Sequence, residues 1–158
     1  MAGSLVVSVR SAVTDGLTTL FAALPDFNGA TDPEHRVEVT YAYTLGSAAS
    51  ERVYTGRSTA DTPPAALRSG RNHRNEDGVF DLTILVALVG GSQEDADARA
   101  LAIGAKVEEW IADRKSNELG LTGLVSLRID SWDLVGLMND HGCMAELEYK
   151  VRWTARLT

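Results

Sequence analysis

One run near the C-terminus constrains the fold more than any other part of the chain. From Ala145 to Leu157, the side chains of Ala145, Leu147, Tyr149, Val151, Trp153, Ala155 and Leu157 alternate without a break with Glu146, Glu148, Lys150, Arg152, Thr154 and Arg156. Successive side chains of a strand point to opposite faces, so this pattern makes a strand with one face in a core and the other charged. A sheet with one wet face is largely antiparallel, and the rest of the chain must supply neighbouring strands and a layer to cover the apolar face.

The covering layer is legible as two helices. Val6, Val9, Val13, Leu17, Leu20, Phe21 and Leu24 recur at three- and four-residue steps and end at Pro25, which marks an amphipathic helix and its stop. Ser92, with Asp95 three residues on, fits a capping box. Ala96, Ala100, Ile103, Val107, Trp110 and Ile111 then form a buried stripe, with Glu94, Asp97, Lys106, Glu109 and Asp113 on a solvated face. Carboxylates such as Asp95 and Asp97 in a first helical turn meet the positive end of the helix dipole and need no ligand to explain them.

Four further strand signals accompany the first. Arg36 to Thr44 alternates Val37, Val39, Tyr41 and Tyr43 with Glu38, Thr40 and Ala42. After the Gly-, Ser- and Ala-rich stretch Leu45 to Ser50, Glu51 to Thr55 reads as a second strand that pairs back as a hairpin. Val79 to Val89 has only Asp81 and Thr83 as polar interruptions, the pattern of a central strand covered on both faces. Gly90 and Gly91 end it. Asn117 to Gly123 breaks the second helix, and Val125 to Leu137 is joined to Cys143 to Leu157 by a turn at Asn139 to Gly142. The expected fold is α+β: a single domain over residues 1–158, with a largely antiparallel sheet of about five strands covered by two main helices and a long loop between strands 2 and 3. With 158 residues and 44% hydrophobic content, the chain can build one core, and no linker divides it.

Composition and motifs exclude more than they offer. A net charge of −7 and a pI near 4.9 oppose nonspecific duplex binding, which needs surplus Lys and Arg to neutralise phosphate. Cys143 is the lone cysteine, so an intrachain disulfide and multi-thiolate metal sites are excluded. Neither a basic segment before an apolar run at the N-terminus nor an apolar run near 20 residues is present, so neither secretion nor membrane insertion is expected. His35, His73 and His141 fall in turns or loops and read as solvated. Asp140, His141 and Cys143 form the polar cluster of a turn rather than a metal site. Gly90-Gly91 and Gly120 to Gly123 match no phosphate-cradling loop, and no G-x-S-x-G elbow occurs. Trp110, Trp132 and Trp153 read as packing residues. No catalytic, cofactor-binding or metal-ligating residue is expected.

What remains is the stretch from Gly56 to Asp77, which carries Arg57, Arg68, Arg71 and Arg74 against Asp61, Glu76 and Asp77, along with Pro63, Pro64, Gly70 and His73. A connection this long without regular structure is usually functional or disordered. Arginine's planar fork suits carboxylates at an interface, and copies of an acidic chain offer many. Arg57, Arg68, Arg71, His73 and Arg74 are therefore the candidate interface residues.

The element order, the run Val53-Tyr54-Thr55-Gly56-Arg57, the stretch from Pro63 to Arg71 and the helix entry from Gly90 to Ala100 resemble the tail terminator (tail completion) proteins of bacteriophages with long, non-contractile tails. The resemblance covers about Val6 to Leu157. It implies an α+β fold and a homohexameric ring on the head-proximal end of the tail tube that stops tube polymerisation and offers a docking surface to the head connector. It also implies a virion location after assembly in the host cytoplasm, and DNA that passes through the channel without specific binding. Tail tube protein and the connector or head-closure protein would be the partners, with no cofactor and no enzymatic role. The alternatives are a head-closure or other neck adaptor protein, an enzyme or ligand-binding module with the 56–77 stretch as a lid, and a nucleic-acid adaptor using the same arginines.

Overall fold

The computed structural model describes residues 4–61, 74–113 and 119–157. In chain order the elements are α1 (Val6–Ala22), β1 (Val37–Thr40), β2 (Glu51–Asp61), β3 (Arg74–Leu88), α2 (Gln93–Ala112), β4 (Leu124–Asn139) and β5 (Gly142–Leu157). The strands form one sheet in the order β1-β2-β3-β5-β4, parallel between β1 and β2 and antiparallel at every other pair. The expected fold class is the observed one.

Both helices lie on the same face of the sheet, α1 over β1 and β2 and α2 over β3, β5 and β4. The alternation in β5 puts Ala145, Leu147, Tyr149, Val151, Trp153 and Ala155 into the core between them. They meet Phe80, Leu82, Ile84 and Val86 from β3, Val9, Val13, Leu17 and Phe21 from α1, and the stripe from Ala96 to Ile111 on α2. Trp153 lies across Gly78 of β3, where a Cβ would sit 2.2 Å from the indole, so glycine is the residue that admits the ring.

Each helix start is satisfied differently. Ser92 and Asp95 make the reciprocal capping box of α2. At the start of α1 the N-cap Leu5 offers no side-chain cap; the Ser4 hydroxyl accepts from the Val6 amide at 3.2 Å, and the buried carboxylate of Glu76 on β3 accepts from that hydroxyl at 3.0 Å and from the Leu5 amide at 2.9 Å. A charge from the sheet thus occupies the positive end of α1 and ties it down.

Several expectations need correction. The first two strands do not form a hairpin: β1 is only Val37–Thr40 and runs parallel to β2, Val37 opposite Glu51. Tyr41 stays on the helix side, its carbonyl accepting from Arg10 of α1 and its ring under that guanidinium, and residues 43–50 return over the sheet face that the helices leave open. There Tyr43 packs edge-on to Tyr54 at 5.4 Å between centroids, and Arg52 donates to the carbonyls of Ala49 and Ser47. Tyr41 and Tyr43 therefore belong to this crossover. The loop between strands 2 and 3 is much shorter than Gly56 to Asp77, because β2 runs on to Asp61 and β3 begins at Arg74, with Ser58 opposite Phe80 and Asp61 opposite Asp77. A bulge between Thr55 and Ser58 sets Gly56 and Arg57 against the single residue Asp81 and breaks the alternation at that point. Strand β3 is central, and its helix-facing side is buried from Phe80 to Val86; on the other side Thr83 is buried, Asp81 and Leu85 are half-buried and Ala87 is exposed, so the second face is covered only in part. Trp132 is not a packing residue, being 54% exposed, whereas Trp110 and Trp153 are buried.

Candidate assembly surface

Arg57 stands in the β2 bulge, exposed, on the rim of a shallow hollow of about 280 Å³ that it shares with Thr59, Val79, Asp81 and Lys150. Arg68, Arg71 and His73 lie outside the described residues. Arg74 opens β3 opposite Leu157, and its side chain likewise lies outside the described residues. Of the candidate set, Arg57 alone has a described side chain, and it lies on the open face.

That face is a field of paired charge. Lys150 bridges Asp81 and Glu148, and its pKa is raised, first by its hydrogen bond to Asp81 and then by that to Glu148. Arg152 reaches Asp130 at 3.2 Å, with Arg128 at 3.9 Å from the same carboxyl group. Such exposed pairs add about 0–1 kcal/mol each and serve mainly to keep the face hydrated.

His35 is not simply solvated. Its Nδ1 lies 3.2 Å from the Glu51 carboxylate, which is buried at the start of β2 and accepts two hydrogen bonds from Arg99 of α2. Arg99 also donates to the Asp26 carbonyl and lies over the Phe27 ring. This cluster joins α2, β2 and the turn after α1. A carboxylate committed to a guanidinium fork is a strut rather than a catalytic base. Cys143 is buried with its Sγ 3.2 Å from the Gly91 carbonyl, and no group of three metal-ligating side chains occurs among the described residues.

The unexplained surface is at the edge of the sheet. Among the described residues β4 pairs only with β5, and from Trp132 to Asn139 it exposes Trp132, Val135, Leu137 and Met138, with Asp133 as the sole charge. Trp132, Leu134 and Met138 lie opposite Tyr149, Leu147 and Cys143 and so face the helix side, whereas Val135 and Leu137 face the open side. Helix α2 stops covering β4 at Gly136, over which the Gln93 side chain lies. Natural edge strands are normally blunted by lysine, proline or shortness, and this half of β4 has none of these. Beyond it, exposed Val89 and Met138 border a hollow of about 460 Å³ floored by Ala87, Leu88, Cys143 and Met144.

The opposite edge is concave. Between the end of α1, the turn at Phe27–Ala30 and β1 runs a groove of about 610 Å³, with Phe21, Phe27, Val37 and Val39 among its lining and Thr18, Asn28 and Arg36 as its polar members. The sequence did carry a signal for the β4 surface. Its apolar residues fall on both parities, 132, 134 and 138 against 135 and 137, which a strand with one wet face does not need.

No protein-family model matches the chain, and no curated protein matches it. Among solved structures, a chain from the "Virion of native gene transfer agent (GTA) particle" has the same fold. It matches with a TM-score of 0.60 and 16% sequence identity over 95% of this chain and 98% of that one. No helix among the described residues is long and apolar enough to cross a membrane.

Proposed function

We propose that this chain is a structural virion protein, a tail terminator that assembles as a homohexameric ring on the head-proximal end of a phage tail tube. In this role it stops tube polymerisation and presents the docking surface for the head connector. The observation that carries the reading is the long, apolar, unprotected edge of β4, which an isolated subunit would expose to edge-to-edge aggregation and a ring subunit covers with its neighbour. A fold shared from end to end with a virion-particle chain supports it, as does the resemblance of the sequence to tail terminators. The acidic balance suits a channel through which DNA slides without sticking. The tail tube protein and the connector or head-closure protein are the other partners, and the chain has no enzymatic role.

The test is negative-stain microscopy and size measurement of the purified chain, alone and with tail tubes. Capped tubes and rings with a central hole are expected. A chain that stays monomeric at high concentration and fails to cap tubes rules the reading out. Changing Arg68, Arg71 and Arg74 together to Glu should leave the monomer folded but impair assembly, and normal assembly by that variant would remove the arginines from the interface.

A further inference from the structure

We infer that the exposed half of β4 is the dock for the arginine-bearing segment 62–73 of the neighbouring copy. The inference rests on the ring reading and names the segment that covers the edge.

The dock is a ledge between β4 and α2 with an apolar floor and an acidic rim. Trp132, Leu134 and Met138 make the floor on the helix side of β4. On α2, Gln93 lies over Gly136, Asp97 accepts from Gln93 at 2.8 Å, and Glu108 meets the hydroxyl of Tyr149, the residue opposite Trp132. Leu101 is exposed and falls on the same flank of the helix, four residues after Asp97 and seven before Glu108. Asp133 stands on the other face of the same edge. Asp97, Glu108 and Asp133 have no ion-pair partner among the described residues. An exposed apolar strand bordered by three such carboxylates fits an occupant that is both apolar and cationic.

The segment 62–73 has that chemistry. No acidic residue occurs from Thr62 to Asn75, and the apolar run Pro63 to Leu67 leads directly into Arg68 and Arg71. By contrast, Arg10, Arg52 and Arg99 are committed to groups within the fold, and Lys106, Lys150 and Arg152 to carboxylates beside them. The segment cannot serve its own copy. Its anchors are Asp61, level with Thr154 through Asp77, and Arg74, level with Leu157, whereas Trp132 is level with Tyr149. At about 3.3 Å per residue along a strand and about 4.8 Å between strands, the way from Asp61 to Trp132 and on to Arg74 is about 50 Å. The thirteen steps of chain from Asp61 to Arg74 span at most about 47 Å. Leu134 and Met138 lie farther still. Segment and ledge are different surfaces, so the contact is heterologous: each copy gives one and receives one, and the contacts can propagate around a ring. An isologous β4-to-β4 contact would stop at two copies.

The experiment reverses charge in the full chain at about 150 mM salt, where general repulsion between copies is screened. One variant carries Arg68→Glu and Arg71→Glu, a second carries Glu108→Arg and Asp133→Arg, and a third carries all four; circular dichroism and thermal melting check that each folds. The first and second should each need at least about tenfold more protein to form rings, because like charges then face each other across the contact. The third should regain most of that loss, since its reversed surfaces match again. Trp132→Ala, at an exposed position, tests the apolar floor by the same measurement and should also need about tenfold more protein. Rings from the first or second variant at wild-type concentrations overturn the contact while leaving the ring reading intact, and if those rings no longer cap tubes, the ledge belongs to the tail tube protein. A third variant no better than its parents separates the arginines from the ledge and overturns the contact too. A wild-type dimer that Trp132→Ala dissociates and the first variant leaves unchanged replaces it with β4-to-β4 pairing. A wild-type chain that never assembles, with or without tail tubes, overturns both.

Discussion

Glu51 shows how one residue decides whether a charge is an asset. Its carboxylate is buried, and the guanidinium of Arg99 holds both of its oxygens. Removing one member of such a pair strands the other in low dielectric, while replacing both with apolar groups is far cheaper. Glu51→Leu should therefore cost about 3–5 kcal/mol, and the double variant with Arg99→Leu should recover most of it; a urea-denaturation cycle measures both. Tyr149 makes a second case, in which burial first and the nearby Glu108 carboxylate next push the phenol well above its ordinary pKa. A raised folded pKa means that the stabilisation is whole below the unfolded value of about 10 and declines as pH climbs beyond it toward the folded value. Wild-type stability should then fall more steeply than that of Tyr149→Phe above about pH 10, by up to about 1.4 kcal/mol per pH unit. Parallel slopes for the two proteins would mean that the hydroxyl is not held neutral.

At the scale of elements, Glu76 matters most. It lies in a stretch that reads as loop, yet it is a buried strand residue that caps a helix distant in sequence. Glu76→Ala should cost about 1–2 kcal/mol, in the range of a lost helix cap, with faster amide exchange confined first to the opening turn of α1. Uniform acceleration across the sheet would assign Glu76 to the core instead. The same residue marks where sequence reading stops. Helices α1 and α2 and strand β5 were legible because each repeats one period over many residues, and even the capping box of α2 is local. The parallel pairing of β1 and β2 was not, since it depends on where residues 41–50 cross the sheet and not on any pattern within the strands. The extension of β2 was hidden by the Gly56–Arg57 bulge, which shifts the parity so that Thr55 and Ser58 both face the helices. Trp132 shows the limit for the candidate site: a tryptophan in a strand pattern reads as core, and only the order β1-β2-β3-β5-β4 puts it on an edge.

For the molecule as a whole, two kinds of force are assigned to assembly, and they respond to salt in opposite directions. Each copy carries a net charge of −7, so copies repel at a distance, and that repulsion is strongest when the Debye length is long. An apolar contact made by the exposed half of β4 is indifferent to modest salt, so screening the repulsion should leave it stronger in effect. Contacts between loop arginines and a neighbour's carboxylates are themselves screened and weaken as salt rises. Raising ionic strength from about 20 to about 150 mM shortens the Debye length from roughly 20 to 8 Å, enough to separate the two. If the apolar β4 edge dominates, the ring fraction at fixed protein concentration, measured by light scattering, should increase across that range. The Arg68, Arg71 and Arg74 to Glu variant, more acidic still, should then show a steeper increase from a lower starting point. A ring fraction that falls with salt in the wild type, and no longer does so in that variant, would transfer the main role to the arginines and leave the β4 edge a minor one.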